Sequence, residues 1–199
     1  MRGVLAADAQ RAAGAPTAEP FTRAVRSHVP APPLRVGSAC DVSASMRPVC
    51  GPVASAAWIL ANATSHLPDA ISATVVYGAG VRPITRPGRA LAHVTEFEAD
   101  DRAHAIGTAI DALEAALDLT RPDAARLLVI VSDGAYDLPD CDEAHKRITR
   151  LIGTGCGVLW LHPEADDPIT PSAQPLLLTG PAQTTDASGQ AAVHALRHT

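Results

Sequence analysis

The sequence predicts an α/β protein built on an open, mostly parallel, six-stranded sheet with helices on both faces. Two observations predict it. From Leu34 onward, strand-like apolar runs alternate with helix-like segments, the order that lays strands side by side through crossover helices. Runs such as Leu127-Leu128-Val129-Ile130-Val131 are apolar throughout, as a strand buried on both faces is.

The elements follow in order. Leu34 to Ala39 is an apolar stretch that gives out at Cys40-Asp41, which reads as a strand over 34–40. A helix over about 48–67 leads to strands at 71–78 and about 90–97. Ile106-Gly107-Thr108 opens an apolar-periodic segment, read as a helix over 108–118. A strand over 126–132 runs into Ser132-Asp133-Gly134, and a helix over about 140–152 precedes a strand at 157–162. Between these last two, Gly153-Thr154-Gly155-Cys156-Gly157 is glycine-rich. It precedes a strand, whereas a phosphate-binding loop follows one and opens a helix, so it reads as a helix stop and turn. Beyond Pro163, Pro168 and Pro171, the segment Pro175 to Thr179 reads as a short helical turn, 182–187 as the last strand and 189–197 as the last helix. Residues 1–33 are rich in Ala, Pro and Arg. They read as an arm or linker, with a short helix at Val4 to Ala13 and a Pro-broken connection through Val29-Pro30-Ala31-Pro32-Pro33. Residues 34–199 make up the domain.

Composition narrows the function. A chain of 199 residues with 47% hydrophobic and 19% charged residues fits one soluble core of ordinary size. The formal charge of −5, with Lys146 the only lysine among 16 basic residues, gives no concentrated basic patch of the kind that tracks a phosphate backbone. Nucleic acid is therefore not expected as a partner. No apolar run approaches the ~20 residues that span a bilayer. Met1 to Ala13 is interrupted by Asp8 and Arg11 instead of forming a signal-peptide core. The expected compartment is the cytoplasm, with no membrane partner. Cys40, Cys50, Cys141 and Cys156 lack CxxC spacing and are read as reduced, with Cys40 and Cys156 packing as small hydrophobes.

The residues with chemistry lie at strand ends. Cys40-Asp41-Val42-Ser43-Ala44-Ser45-Met46 places an aspartate and two hydroxyls at alternate positions. These are hard oxygen donors of the type Mg²⁺, Mn²⁺ and Ca²⁺ prefer, and they are too few to fill an octahedral shell. Thr108, at the first turn of its helix, and Asp133, at the end of its strand, offer further oxygens. In an open parallel sheet such strand ends meet on one edge, where Asp41, Ser43, Ser45, Thr108 and Asp133 would converge. That set resembles the metal-ion-dependent adhesion site of the von Willebrand factor A domain, which has an Asp-x-Ser-x-Ser motif, then a Thr, then an Asp. The resemblance covers roughly residues 34–197.

The resemblance implies a Rossmann-like fold and a protein-binding module without catalytic residues. Ser43, Ser45 and Thr108 would ligate Mg²⁺, or alternatively Mn²⁺, directly, and Asp41 and Asp133 often through water. It implies a partner protein that offers a Glu or Asp to the metal. In bacteria it points to a ring-forming AAA+ ATPase of the chelatase or MoxR type as context. The proline-rich run-in at residues 1–33 is similar to that before the A domain in proteins of the cobalt-chelatase-subunit type. One departure is Ala44, where the family often has Gly. A loop that needed a left-handed residue there would cost roughly 1 kcal/mol and weaken the metal.

Each residue alone has an ordinary structural explanation. Ser43 or Ser45 would serve as a helix cap, Thr108 as a first-turn residue, and Asp133-Gly134 as a strand-to-turn dipeptide. Jointly these do not explain oxygen donors in the family's order on three segments. Glu96, Glu98, Asp100 and Asp101, and then Asp137, Asp140, Asp142 and Glu143, read as solvated loops, or as a rim biased toward a basic partner or a second cation. His194 and His198 are four apart at the chain end and read as a surface pair, while His66, His93, His104 and His145 lack partners at ligand spacing. Two other functions compete. A Mg²⁺-dependent phosphohydrolase of the haloacid-dehalogenase type would want a second carboxylate where Ser43 stands and a basic residue nearer than Lys146. A scaffold domain with an idle metal site would share the fold.

Overall fold

A computed structural model describes residues 32–163 and 173–178, with Ala13, Gln190 and Val193 as single residues. The chain divides into units at 1–31 and 32–199, and the fold described is that of the second. The arm helix at 4–13 lies outside the described residues except for Ala13, and the strand expected at 182–187 lies wholly outside them. Of the last helix only Gln190 and Val193 are described, both helical.

Six strands form one sheet in the order β3-β2-β1-β4-β5-β6. They are β1 Leu34–Asp41, β2 Ala70–Tyr77, β3 Val81–Thr85, β4 Ala125–Val131, β5 Gly157–His162 and β6 Gln174–Leu177. All neighbouring pairs are parallel except β2 with β3. The helices are α1 Cys50–Ser65, α2 Ile106–Leu117 and α3 Leu138–Gly153, with a 3₁₀ segment Ala44–Val49 ahead of α1.

The sheet splits its side chains by the two-residue period of a strand. Leu128 and Ile130 of β4 and Val158 and Trp160 of β5 pack with α2 and α3 residues such as Ile110, Leu113 and Ile148. Leu127 and Val129 of β4 and Leu159 and Leu161 of β5 pack on the other face with Val53, Ala57 and Leu60 of α1. Every residue of β4 is buried, which is why its sequence shows no polar alternation. Across the first face, Arg147 of α3 pairs with Asp111 of α2, and Arg150 with Glu114.

Two expected elements are corrected. The strand expected at 90–97 is irregular coil, and the edge strand is Val81–Thr85. Leu91 is instead caught on α1, its carbonyl accepting bonds from Trp58 Nε1 at 2.9 Å and Asn62 Nδ2 at 3.3 Å. Pro83 disguised the true strand, yet a proline is tolerated on an edge, where its missing N–H faces no neighbour. The helical turn expected at 175–179 is the parallel edge strand β6, whose pairing is extended by the Leu178 N–H to the His162 carbonyl at 2.7 Å. A short apolar run carries no period that separates strand from helix. The turn after α3 is as expected, with Gly155 at φ 85°. All four cysteines are free, and burial pushes the Cys40 and Cys156 thiols up to about 12.

Candidate metal centre

The chain runs from β1 to β2 on one side, and β4 returns on the other side of β1. The crevice at the carboxyl ends of β1 and β4 is therefore the point where strand order reverses, the usual ligand position in open α/β sheets. Asp41 ends β1 there, with its side chain buried. Oδ1 accepts the Ser43 N–H at 2.8 Å, and Oδ2 accepts the Ser132 hydroxyl from the end of β4 at 2.7 Å. Ser132 Oγ in turn accepts the Gly134 N–H at 3.0 Å, in a turn where Gly134 takes φ 78°.

The Asp41-Ser43-Ser45 loop is fixed from beside it. Val42 N–H reaches the Tyr77 carbonyl at 2.9 Å, and Ala44 N–H reaches the Asp101 carbonyl at 2.9 Å. Ser43 and Asp101 form an isolated parallel bridge. Asp101 in turn rests on Gly78: its Oδ2 accepts the Ala79 N–H at 3.1 Å, and a Cβ at Gly78 would overlap its carboxylate. Ser43 Oγ lies 3.0 Å from Ser45 Oγ. Ala44 opens the 3₁₀ segment and is not among the residues with positive φ. The conformational cost expected of an alanine at this position is therefore absent.

The structure thus brings Asp41, Ser43 and Ser45 together. Asp133 follows Ser132 at the same edge, half-buried, with its Oδ1 bound to the Ala135 N–H at 3.1 Å. Thr108 is exposed on the first turn of α2. Among the described residues, neither Thr108 nor Asp133 is hydrogen-bonded to the other three. The acidic segments are partly committed elsewhere. Asp100 pairs with Arg47, Asp101 braces the loop, and Glu143 pairs with Arg147 at 2.7 Å.

Four neighbours were not legible as site residues. Ser132 is one. His104, expected to lack a partner, has its Nδ1 3.9 Å from Asp41 Oδ2. Tyr77 and Tyr136 are the other two, with their hydroxyls 2.6 Å apart. Tyr136 meets the His104 ring edge-on at 4.9 Å and the Trp160 ring at 6.2 Å. The signal available for these is weak, since only Ser132 touches a motif in sequence.

Burial holds the Asp41 carboxyl above its usual range, against the opposing pull of the Ser132 hydroxyl, Ser43 and His104. Burial likewise raises both tyrosines well above the usual phenol range. A folded-state pKa above the unfolded value of about 10 contributes stability that is complete below pH ~10 and is lost as pH rises through the folded value. These two are the only tyrosines in the chain, so phenolate absorbance reads them alone. Their ionisation is expected to coincide with alkaline unfolding followed by circular dichroism. A reversible titration near pH 10 in folded protein would contradict this burial.

The donors fit a hard divalent cation. Asp41 accepts the Ser43 N–H on one oxygen and the Ser132 hydroxyl on the other, and the Ser43 hydroxyl lies 3.0 Å from that of Ser45. Among the described residues no three His, Cys, Asp or Glu side chains converge, so hydroxyls and water must complete the shell. Asp41, Ser43, Ser45, Thr108 and Asp133 would hold the ion, which when bound supplies a positive centre for an outside anion.

No protein-family pattern matches the chain, and no curated protein matches it. Solved structures do match. The manganese-loaded TRAP protein of Plasmodium vivax aligns with TM-score 0.60 at 12% identity, over 84% of this chain and 75% of that one. A von Willebrand factor type A protein from Catenulispora acidiphila aligns with TM-score 0.59 at 16% identity, over 83% and 43%. The conserved hypothetical protein BatB from Bacteroides thetaiotaomicron aligns with TM-score 0.58 at 13% identity, over 82% and 99%. The fold is that of the von Willebrand factor A domain. At these identities the likeness is one of fold. Among the described residues no helix is long and apolar enough to cross a membrane.

Proposed function

We propose that the domain is a protein-binding module that works through a divalent cation held by Asp41, Ser43, Ser45, Thr108 and Asp133. The observation that carries this reading is the Asp41 carboxylate, buried in the crevice between β1 and β4 and fixed by the Ser43 N–H and the Ser132 hydroxyl. A buried carboxylate is costly unless a cation offsets it. The Ser43 and Ser45 hydroxyls beside it add neutral dipoles, which hold an ion without reducing its attraction for another anion.

Two carboxylates neutralise a divalent ion formally and leave a coordination position, which a Glu or Asp of a partner protein fills. Mg²⁺ suits this arrangement because it keeps waters and is often held by one or two protein carboxylates, and Mn²⁺ accepts the same oxygen set. That TRAP, which shares the fold, is manganese-loaded supports the choice of a divalent ion. The context we favour is an intracellular, cytoplasmic bacterial complex with a ring-forming AAA+ ATPase of the chelatase or MoxR type. The chain has no Gly-x-x-x-x-Gly-Lys-Ser/Thr segment, so ATP hydrolysis would belong to another subunit. No catalytic step is assigned to the domain. Ser43 stands where a phosphohydrolase needs its second carboxylate, and Lys146 is exposed on α3.

Isothermal titration of Mg²⁺ and of Mn²⁺ into metal-free protein is expected to show saturable binding at one site. Heats no larger than dilution for both ions would overturn the reading and leave the domain as a scaffold.

A further inference from the structure

Around Asp41 nearly every buried polar atom has a partner: the Ser43 N–H, the Ser132 hydroxyl and the Gly134 N–H are all bonded. His104 Nδ1 is the exception. Among the described residues only it and Arg35 Nε are buried side-chain polar atoms without a hydrogen bond. Arg35 is satisfied through its other nitrogens, Nη1 donating to the Leu117 carbonyl at 2.8 Å and Asp118 at 3.1 Å, and Nη2 to Asp123 at 3.4 Å. The orphan at the site is therefore the imidazole.

Its distance from the carboxylate is informative. At 3.9 Å, Nδ1 and Asp41 Oδ2 are too far apart for a hydrogen bond. Metal–nitrogen and metal–carboxylate bonds of about 2.0–2.2 Å let one ion span roughly that separation. Oδ2 has given one lone pair to Ser132 and keeps the other. The ring is held in place, 13% exposed, by the edge contact with Tyr136, whose hydroxyl is tied to Tyr77.

We propose that His104 supplies an imidazole nitrogen to the metal bound at this edge and turns its preference from Mg²⁺ toward Zn²⁺ and the later transition metals. The inference rests on reading the Asp41 edge as a metal site. An all-oxygen shell accepts Mg²⁺ readily, whereas imidazole suits Zn²⁺, Cu²⁺ and Ni²⁺. Asp41 and His104 approach each other here, and among the described residues no third His, Cys, Asp or Glu joins them in a metal-holding group. The remaining ligands would be drawn from the Ser43, Ser45 and Thr108 hydroxyls, Asp133 and water. The sequence around His104 has no ligand spacing because its partner is 63 residues earlier in the chain.

Zn²⁺ and Mg²⁺ are titrated separately into the metal-free full chain and into its His104→Gln and Asp41→Ala variants. Cu²⁺-loaded samples of each are examined by electron paramagnetic resonance for nitrogen superhyperfine coupling. The expected result is that His104→Gln weakens Zn²⁺ at least about tenfold while Mg²⁺ changes by less than about threefold. Nitrogen coupling should be present in the wild type and lost in both variants. Asp41-dependent binding without nitrogen coupling in the wild type would overturn the role of His104 and leave the metal site standing, even if His104→Gln failed to fold. Coupling that persists in a folded His104→Gln would assign the nitrogen to another histidine and also overturn it. No saturable binding of any ion by the wild type would remove the metal site and this inference together.

Discussion

Replacing Asp41 by Ala is expected to weaken Mg²⁺ and Mn²⁺ binding by at least about 100-fold, since affinity at oxygen sites follows the count of charged ligands. The fold should survive. Ser132 Oγ keeps its bond from Gly134 N–H, and β1 keeps its full pairing with β2 and β4. The groups that lose an acceptor are the Ser43 N–H and the Ser132 hydroxyl, at a cost of about 1–3 kcal/mol each if left dry. Against this stands relief from burying a carboxylate whose pKa burial already raises. Asp41→Asn preserves the shape and one acceptor while removing the charge, so it should bind as poorly as Asp41→Ala with a smaller change in melting temperature. Titration and thermal unfolding of the three proteins check both parts. Binding retained in either variant would place the ion elsewhere and remove Asp41 from the site.

The legible part of the site was the part that is local in sequence. Asp41, Ser43 and Ser45 sit on one loop, and the backbone that joins them also delivers the contacts, Ser43 N–H to Asp41 Oδ1 and Ser43 Oγ to Ser45 Oγ. Ser132 bonds Asp41 across 91 residues, and no spacing rule connects positions that far apart. His104 and Tyr136 are similar cases, brought to the crevice by the run-in to α2 and the loop before α3. The sheet was legible where strands are buried on both faces, as with β4, because a continuous apolar run over that length is hard to place anywhere else. Edge strands were not. Val81–Thr85 contains Arg82 and Pro83, and Gln174–Leu177 contains Pro175. An edge accepts residues that a central strand rejects, so its composition resembles that of a loop. The acidic stretch before α2 shows the limit of counting charges. Asp101 looks like one more solvated carboxylate, yet its backbone and side chain brace both Ala44 and Ala79.

The same distance problem hides a residue whose loss should destabilise the fold. Arg126 is the second residue of β4 and would be expected to reach solvent, but it is 2% exposed. Its guanidinium donates to three carbonyls: Ala124 at 3.1 Å, Leu119 at 3.4 Å and Thr154 at 2.8 Å. It thereby ties the connection after α2 to the turn between α3 and β5. Replacing a buried ion pair by apolar residues is often neutral, because both partners leave together. Here the acceptors are backbone and stay behind. Arg126→Met fills most of the volume yet strands the carbonyls, and an orphaned buried group costs about 1–3 kcal/mol. The Leu119 bond is long and contributes least, so the expected loss is about 3 kcal/mol, or roughly 6–12 °C in melting temperature for a domain of this size. Arg126→Lys keeps a charge but presents a point donor in place of a planar fork, and should fall between the two. Calorimetry of the three proteins, each metal-free, measures this. A Met variant as stable as the wild type would mean that water satisfies those carbonyls and that the guanidinium does not hold the two turns together.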